Sequence, residues 1–161
     1  MAYQKLQVGL AAVVIKSDTI DIPLESSQQL AGETTATVAD KLVDAGQTFQ
    51  DLQNLVVGAT VINTTDGTIA TVTAVDDQTT LSLSANIMAT GEEYIIYLSP
   101  QANAGVGCVL YLPADGNIKV KTVSGSEITY TGVKGGTFLP VQVVRVFSTG
   151  TTVTGNIIAN W

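Results

Sequence analysis

From Gly107 to Trp161 the apolar residues recur at every second position, and Gly, Asp-Gly, Gly-Gly and Pro punctuate them. Period two with that punctuation predicts short, half-buried antiparallel strands. The expected strands here are CVLYL, NIKVKTV, EITYTGV, VQVVRVF and NIIAN. A helix cannot be built on this spacing, because its apolar stripe needs a repeat near 3.6. The stretch also carries no catalytic set, which suits a module that packs and binds.

The middle of the chain repeats the pattern. VVGATVIN, GTIATVTAVD, TTLSLSA and EEYIIYL are β-branched and alternating, and Thr35 to Val43 reads as a further strand. Phe49 to Leu55 reads as a short helical turn. Turns are expected at Asn63 to Gly67, at Asp76-Asp77-Gln78 and at Ala89-Thr90-Gly91. Consecutive hairpins predict a meander that closes into a small barrel, which would remove exposed edges.

Charge separates this middle from its flanks. Leu30 to Leu98 holds nine acidic residues and one basic residue, Lys41, whereas the remainder holds five acidic and six basic. The whole net charge of −7 therefore lies in the middle. The expected organisation is all-β. Residues 1–27 and 100–161 form an outer antiparallel β-sandwich, and residues 28–99 form an inserted acidic β-barrel. Ser26 to Gly32 and Ser99 to Gly105 are the expected linkers. Insertion at an exposed hairpin tip is tolerated when the ends of the insert lie close together.

Composition excludes several function classes. Charged residues make up 13% of the chain, about half the usual ~25%, and Thr and Ser fill the strand faces instead. A negative chain without clustered Lys and Arg is not expected to bind nucleic acid. There is no His, which removes Ser-His-Asp and Cys-His machinery and the usual zinc sites. The single cysteine, Cys108, permits no internal disulfide and reads as an inert core thiol. No Walker loop is present, and Gly105-Val106-Gly107 and Gly132 to Gly136 sit between strands rather than before a helix. Asp76-Asp77 and Glu92-Glu93 read as turn chemistry and surface charge, since adjacent strand residues point to opposite faces. The expectation is no enzyme activity, no cofactor and no metal site.

The N-terminal run LQVGLAAVVI is broken by Gly9 and ends at Lys16-Ser17-Asp18. It reads as a first β-strand rather than a signal-peptide core, and it is too short to span a bilayer. No membrane association is expected, and synthesis is expected in the cytoplasm.

Two segments carry a family resemblance. SDTIDIP at 17–23 and GCVLYLPADGNIKVKTVSGSEITYTGVKGGTFLPVQVVRVFSTGTT at 107–152 resemble the spike-base-like virion proteins of tailed phages and gene transfer agents. The shared elements are Ser17 to Pro23, Val109 to Leu112, Gly116 to Val120, Gly136 to Val146 and Thr149 to Thr152. Together the two segments span 53 of the chain's 161 residues. The acidic insert is similar to a small β module of phage structural proteins, and its position between the two segments departs from the simplest spike-base pattern. The resemblance implies a head-exterior protein, a decoration protein or the base of a head spike. Its implied partners are the major capsid protein and further copies of itself, as a trimer or pentamer, and its implied location is the outside of the virion. A tail, baseplate or glycan-binding module is the alternative, and a cellular β domain with a carboxylate pocket is a more distant one. The candidate docking residues are Lys119, Lys121, Lys134, Arg145, Phe147 and Trp161, a set of basic and aromatic side chains on the outer domain.

Overall fold

A computed structural model of the protein describes residues 9–23, 29–98 and 106–161. The fold is all-β and antiparallel. In chain order the strands are β1 (Ala11–Val13), β2 (Gln29–Glu33), β3 (Lys41–Val43), β4 (Thr60–Asn63), β5 (Thr68–Val75), β6 (Thr80–Leu83), β7 (Glu93–Tyr97), β8 (Cys108–Leu112), β9 (Gly116–Thr122), β10 (Glu127–Val133), β11 (Thr137–Val146) and β12 (Ile158–Asn160). Among the described residues a single 3-10 turn spans Phe49–Asp51. The chain divides into two compact units, Met1–Ser26 with Asn103–Trp161, and Ser27–Ala102.

In the first unit the strand order is β1-β12-β8-β11-β9-β10. Alternation sets the faces. In β9, Ile118 and Val120 are buried while Asn117, Lys119 and Lys121 face outward. β11 holds the unit together by serving two partners in turn. Thr137 to Leu139 pair with β8, Val143 pairs with both β8 and β9, and Arg145 and Val146 pair with β9. The register breaks between Leu139 and Val143. Pro140 lies in that break, where a residue without an N–H costs no ladder hydrogen bond. A strand that bends at a bulge to pass from one layer to the other is a corner of a sandwich. The core between the layers includes Leu110, Leu112, Ile118, Val120, Val143 and Ile157. DTIDIP is an extended segment laid along β11. Ser17 N–H donates to the Val146 carbonyl (2.9 Å), and Ile22 N–H donates to that of Val144 (2.8 Å).

In the second unit the order is β2-β7-β4-β5-β6-β3. An isolated bridge from Ala36 to Val43 ties the chain leaving β2 to β3, so the sheet curls back on itself. Its interior is filled by Leu42, Phe49, Val61, Val72, Leu81, Tyr94 and Ile96, among others. Two expectations change. Thr35 to Val43 is not one strand: a turn at Ala39-Asp40 interrupts it, and Asp40 takes a left-handed φ of 55° that Asp tolerates better than most residues. The meander also stops at β6. β7 pairs with β2 and β4, not with β6, so Ala89-Thr90-Gly91 is no hairpin turn. Gly91 N–H donates to the Thr34 carbonyl (2.8 Å) instead. The expected exit linker is shorter than Ser26 to Gly32, because β2 begins at Gln29. Residues 26–28 and the return linker at 99–105 lie outside the described residues.

Asn63 organises one end of this unit. It is fully buried at the end of β4. Its Oδ1 accepts from the N–H groups of Thr65 (2.9 Å) and Asp66 (3.1 Å), which sets the turn into β5. Its Nδ2 donates to the Ile87 carbonyl (2.6 Å) and to Glu92 Oε2 (2.8 Å). A buried amide with both ends satisfied specifies the turn without a desolvation penalty left over.

Candidate docking surface

The segment Ser17–Pro23 is clamped to the end of β11 by its own polar side chains. Ser17 Oγ accepts from the N–H groups of Thr19 (3.3 Å) and Ile20 (3.0 Å), which bends the segment. Asp18 reaches the turn after β11, where its two oxygens accept from Thr149 N–H (2.9 Å) and Thr149 Oγ1 (2.8 Å). The Thr149 N–H, followed by its hydroxyl, holds the Asp18 carboxyl below the usual carboxylate range. Asp21 Oδ1 accepts from both Nε and Nη2 of Arg145, each at 2.7 Å. Arg145 Nη1 donates to the Asp18 carbonyl (3.0 Å). Phe147 is buried, with the Lys119 ammonium 4.2 Å and the Arg145 guanidinium 5.7 Å from its ring centroid.

Four of the six candidate docking residues therefore meet: Lys119, Lys121, Arg145 and Phe147. Lys121 lies in register between Glu127 of β10 and Arg145 of β11, and carries no ion pair among the described residues. Lys119 pairs with Glu127 at 3.2 Å. With Asp21 and Glu127 included, the cluster is of mixed sign rather than a basic patch, and Arg145 and Phe147 are committed inside the unit. Lys134 stands apart, at the far end of β10, where it pairs with Asp115 (2.6 Å). Gly135 N–H and then Lys134 lower the Asp115 carboxyl, and Asp115 raises the Lys134 ammonium. Trp161 is also apart, half buried beyond β12, where its backbone N–H donates to the Leu10 carbonyl (3.0 Å) and its ring packs on the core. Sequence reasoning missed the carboxylates Asp18, Asp21 and Glu127 that hold this cluster. The two aspartates three apart in SDTIDIP were the available signal.

The remaining chemistry-bearing groups are engaged structurally. Asp76 is lowered chiefly by its hydrogen bond to Lys41 (2.7 Å) and also by Ser82. Asp77 is lowered by Thr79 N–H (2.7 Å) in the β5–β6 turn. Burial, and then the neighbouring Asp44 carboxylate, push the Tyr94 phenol far up, and its hydroxyl donates to Asp44 Oδ2 at 2.7 Å. Burial pushes the Cys108 thiol up to about 12, so it is a core thiol and not a nucleophile. Among the described residues no three His, Cys, Asp or Glu side chains come together as metal ligands. An open groove of about 500 Å³ in the second unit is lined by Ala31, Gly32, Glu33, Thr64, Glu93, Tyr94 and Ile95. The Tyr94 ring faces the core, so it offers no stacking platform to a sugar in that groove. No family model, curated protein or solved structure matches the chain.

Proposed function

We propose that this protein is a structural component of the exterior of a tailed-phage head, a decoration protein or spike base that docks on major capsid subunits through its first unit. The observation that carries this reading is the clamp. The clamp joins the two segments with the virion-protein resemblance, 17–23 and 107–152, through contacts between residues more than 120 apart in the chain. Asp18 meets Thr149, and Asp21 meets Arg145. The motif residues thus depend on one another physically, which supports reading the match as one inherited module rather than as shared composition. The acidic unit, with its net charge of −8, is the part displayed outward, where like charge discourages particle aggregation. No chemical step is involved. Binding to the assembled shell alone favours that shell by mass action.

The test is co-sedimentation with purified phage heads from which the protein is absent, followed by localisation of its density on the reconstituted particle. Saturable binding and density on the outer surface are expected. A protein that fails to bind heads, or that is found on the tail, overturns the reading.

A further inference from the structure

One outward face of the first unit has the wrong chemistry for water. Residues directly paired across strands share a face. The row Ala12, Ala159, Leu110 and Leu139 runs across β1, β12, β8 and β11, and the last three are buried in the core. The next row therefore points outward, and it reads Val13, Ile158, Tyr111, Phe138. An outward row on an antiparallel sheet is ordinarily polar. Here Val13 is 53% exposed and Phe138 is 60% exposed. Tyr111 and Phe138 stack edge to face at 5.5 Å, which presents a fixed aromatic step instead of a mobile ring. On the far side of Tyr111 the following outward row adds Ala11, Asn160 and Val109. Asn160 is the polar side chain there, and its amide is spent on the carbonyls of Val109 (3.3 Å) and Ile158 (3.2 Å). Neither row contains a charged residue, whereas the β9–β10 part of the same sheet carries Lys119, Lys121 and Glu127.

We propose that this face is a self-association surface, on which a second copy of the chain packs with the same four strands. Charge selects that occupant. The first unit is close to neutral, with six basic and five acidic residues, while the second holds nine acidic residues against Lys41. Two copies of an acidic protein meet with least repulsion through the near-neutral unit. The shape of the row is self-complementary. Its bulk rises from Val13 at one end to Phe138 at the other, so a two-fold axis parallel to the strands sets each Phe138 over the partner's Val13. Aligned sheets interdigitate in this way at a spacing of ~10 Å.

Size sets the strength. Four strands at ~4.8 Å and about five residues at ~3.4 Å give a face of roughly 300 Å². A standard stable interface buries ~800 Å² per partner. Association in free solution is therefore weak, and it strengthens where copies are held side by side, through a raised effective concentration.

The experiment is sedimentation velocity of the full chain from about 10 μM to about 1 mM, a range that brackets weak association, without capsids present. The wild type is expected to gain mass with concentration. Phe138→Glu and Val13→Lys, each with an unchanged urea midpoint, are expected to weaken the association by about tenfold or more, as buried interface anchors do. The double variant Val13→Lys/Phe138→Glu sets Lys over Glu at both ends of the two-fold and is expected to regain association over either single change. A wild type that stays monomeric at about 1 mM, or single variants that associate as the wild type does, overturns the proposal. So does a monomeric chain whose Phe138→Glu variant loses only head binding, which would assign the face to the shell and leave the docking reading intact.

Discussion

Removing the Asp21 carboxylate is the sharpest perturbation of the clamp. In Asp21→Ala, Arg145 keeps the Asp18 carbonyl and the flank of Phe147 but loses the acceptor of two of its donors. A hydrogen bond to a charged group contributes about 1.5–3 kcal/mol, whereas exposed ion pairs contribute about 0.2–1 kcal/mol. The pair lies between these cases, since the Arg145 side chain is 16% exposed and that of Asp21 is 43% exposed. Screening on the aspartate side brings the expected loss to about 1.5 kcal/mol. In a domain of about 60–100 residues each kcal/mol moves the melting midpoint by about 4–8 °C, which gives a drop of about 6–12 °C. Trp161 supplies the assay. It is the single tryptophan of the chain, and it packs on the core of the clamped unit, so its fluorescence during urea unfolding reports on that unit. Arg145→Ala and the double variant complete a double-mutant cycle, with an expected coupling of about 1 kcal/mol or more. Arg145→Lys should recover little, because one ammonium cannot supply the forked donors. A coupling below about 0.3 kcal/mol, within the range for independent sites, would refute the clamp as a stabilising element.

Asp18 predicts an acid limit. Its folded pKa is depressed, so its stabilising contribution is complete above the ordinary value of 3.8 and is lost as pH falls through the folded value. Asp18→Asn should therefore flatten the dependence of the urea midpoint on pH below about 4, and an unchanged slope would contradict the assignment. Tyr94 predicts the opposite limit. Its folded pKa is raised, so its contribution is complete below pH 10 and falls as pH rises above that value, a loss that Tyr94→Phe should lack when unfolding is followed by circular dichroism. A Cβ on Gly32 would stand 2.4 Å from the Tyr94 hydroxyl and 2.7 Å from Asp44 Oδ2, so Gly32→Ala is expected to destabilise by about 1–3 kcal/mol. The same change should cost less in a Tyr94→Phe background, and equal costs in both backgrounds would show that the hydroxyl is not the obstacle.

Local pattern carried most of the strands. CVLYL and NIKVKTV fold as half-buried strands where their alternation places them, and EITYTGV forms a strand at its expected place but stays mostly exposed. Pairing was less visible. The meander fails at β7 because nothing in EEYIIYL distinguishes the edge of β6 from that of β4, and the long excursion through Ser84 to Glu92 decides it. The clamp was hidden for a different reason. Arg145 read as an exposed cation because its partner lies 124 residues away, and the two meet only after the segment is laid along β11. The outward apolar row was hidden in plain sight. Ile157 and Ile158 are adjacent, one buried and one outward, and a strand apolar on both faces looks to sequence reasoning like core alone.

The ladder between β2 and β7 has a consequence for how the chain can change. Gln29, the first residue of β2, is the register partner of Tyr97, the last residue of β7. Entry to and exit from the acidic unit are thus separated by the width of one strand pair, ~5 Å. Replacement of this unit by another domain with neighbouring termini asks no rearrangement of the strands of the first unit, so a lineage can exchange one unit while the other keeps its fold.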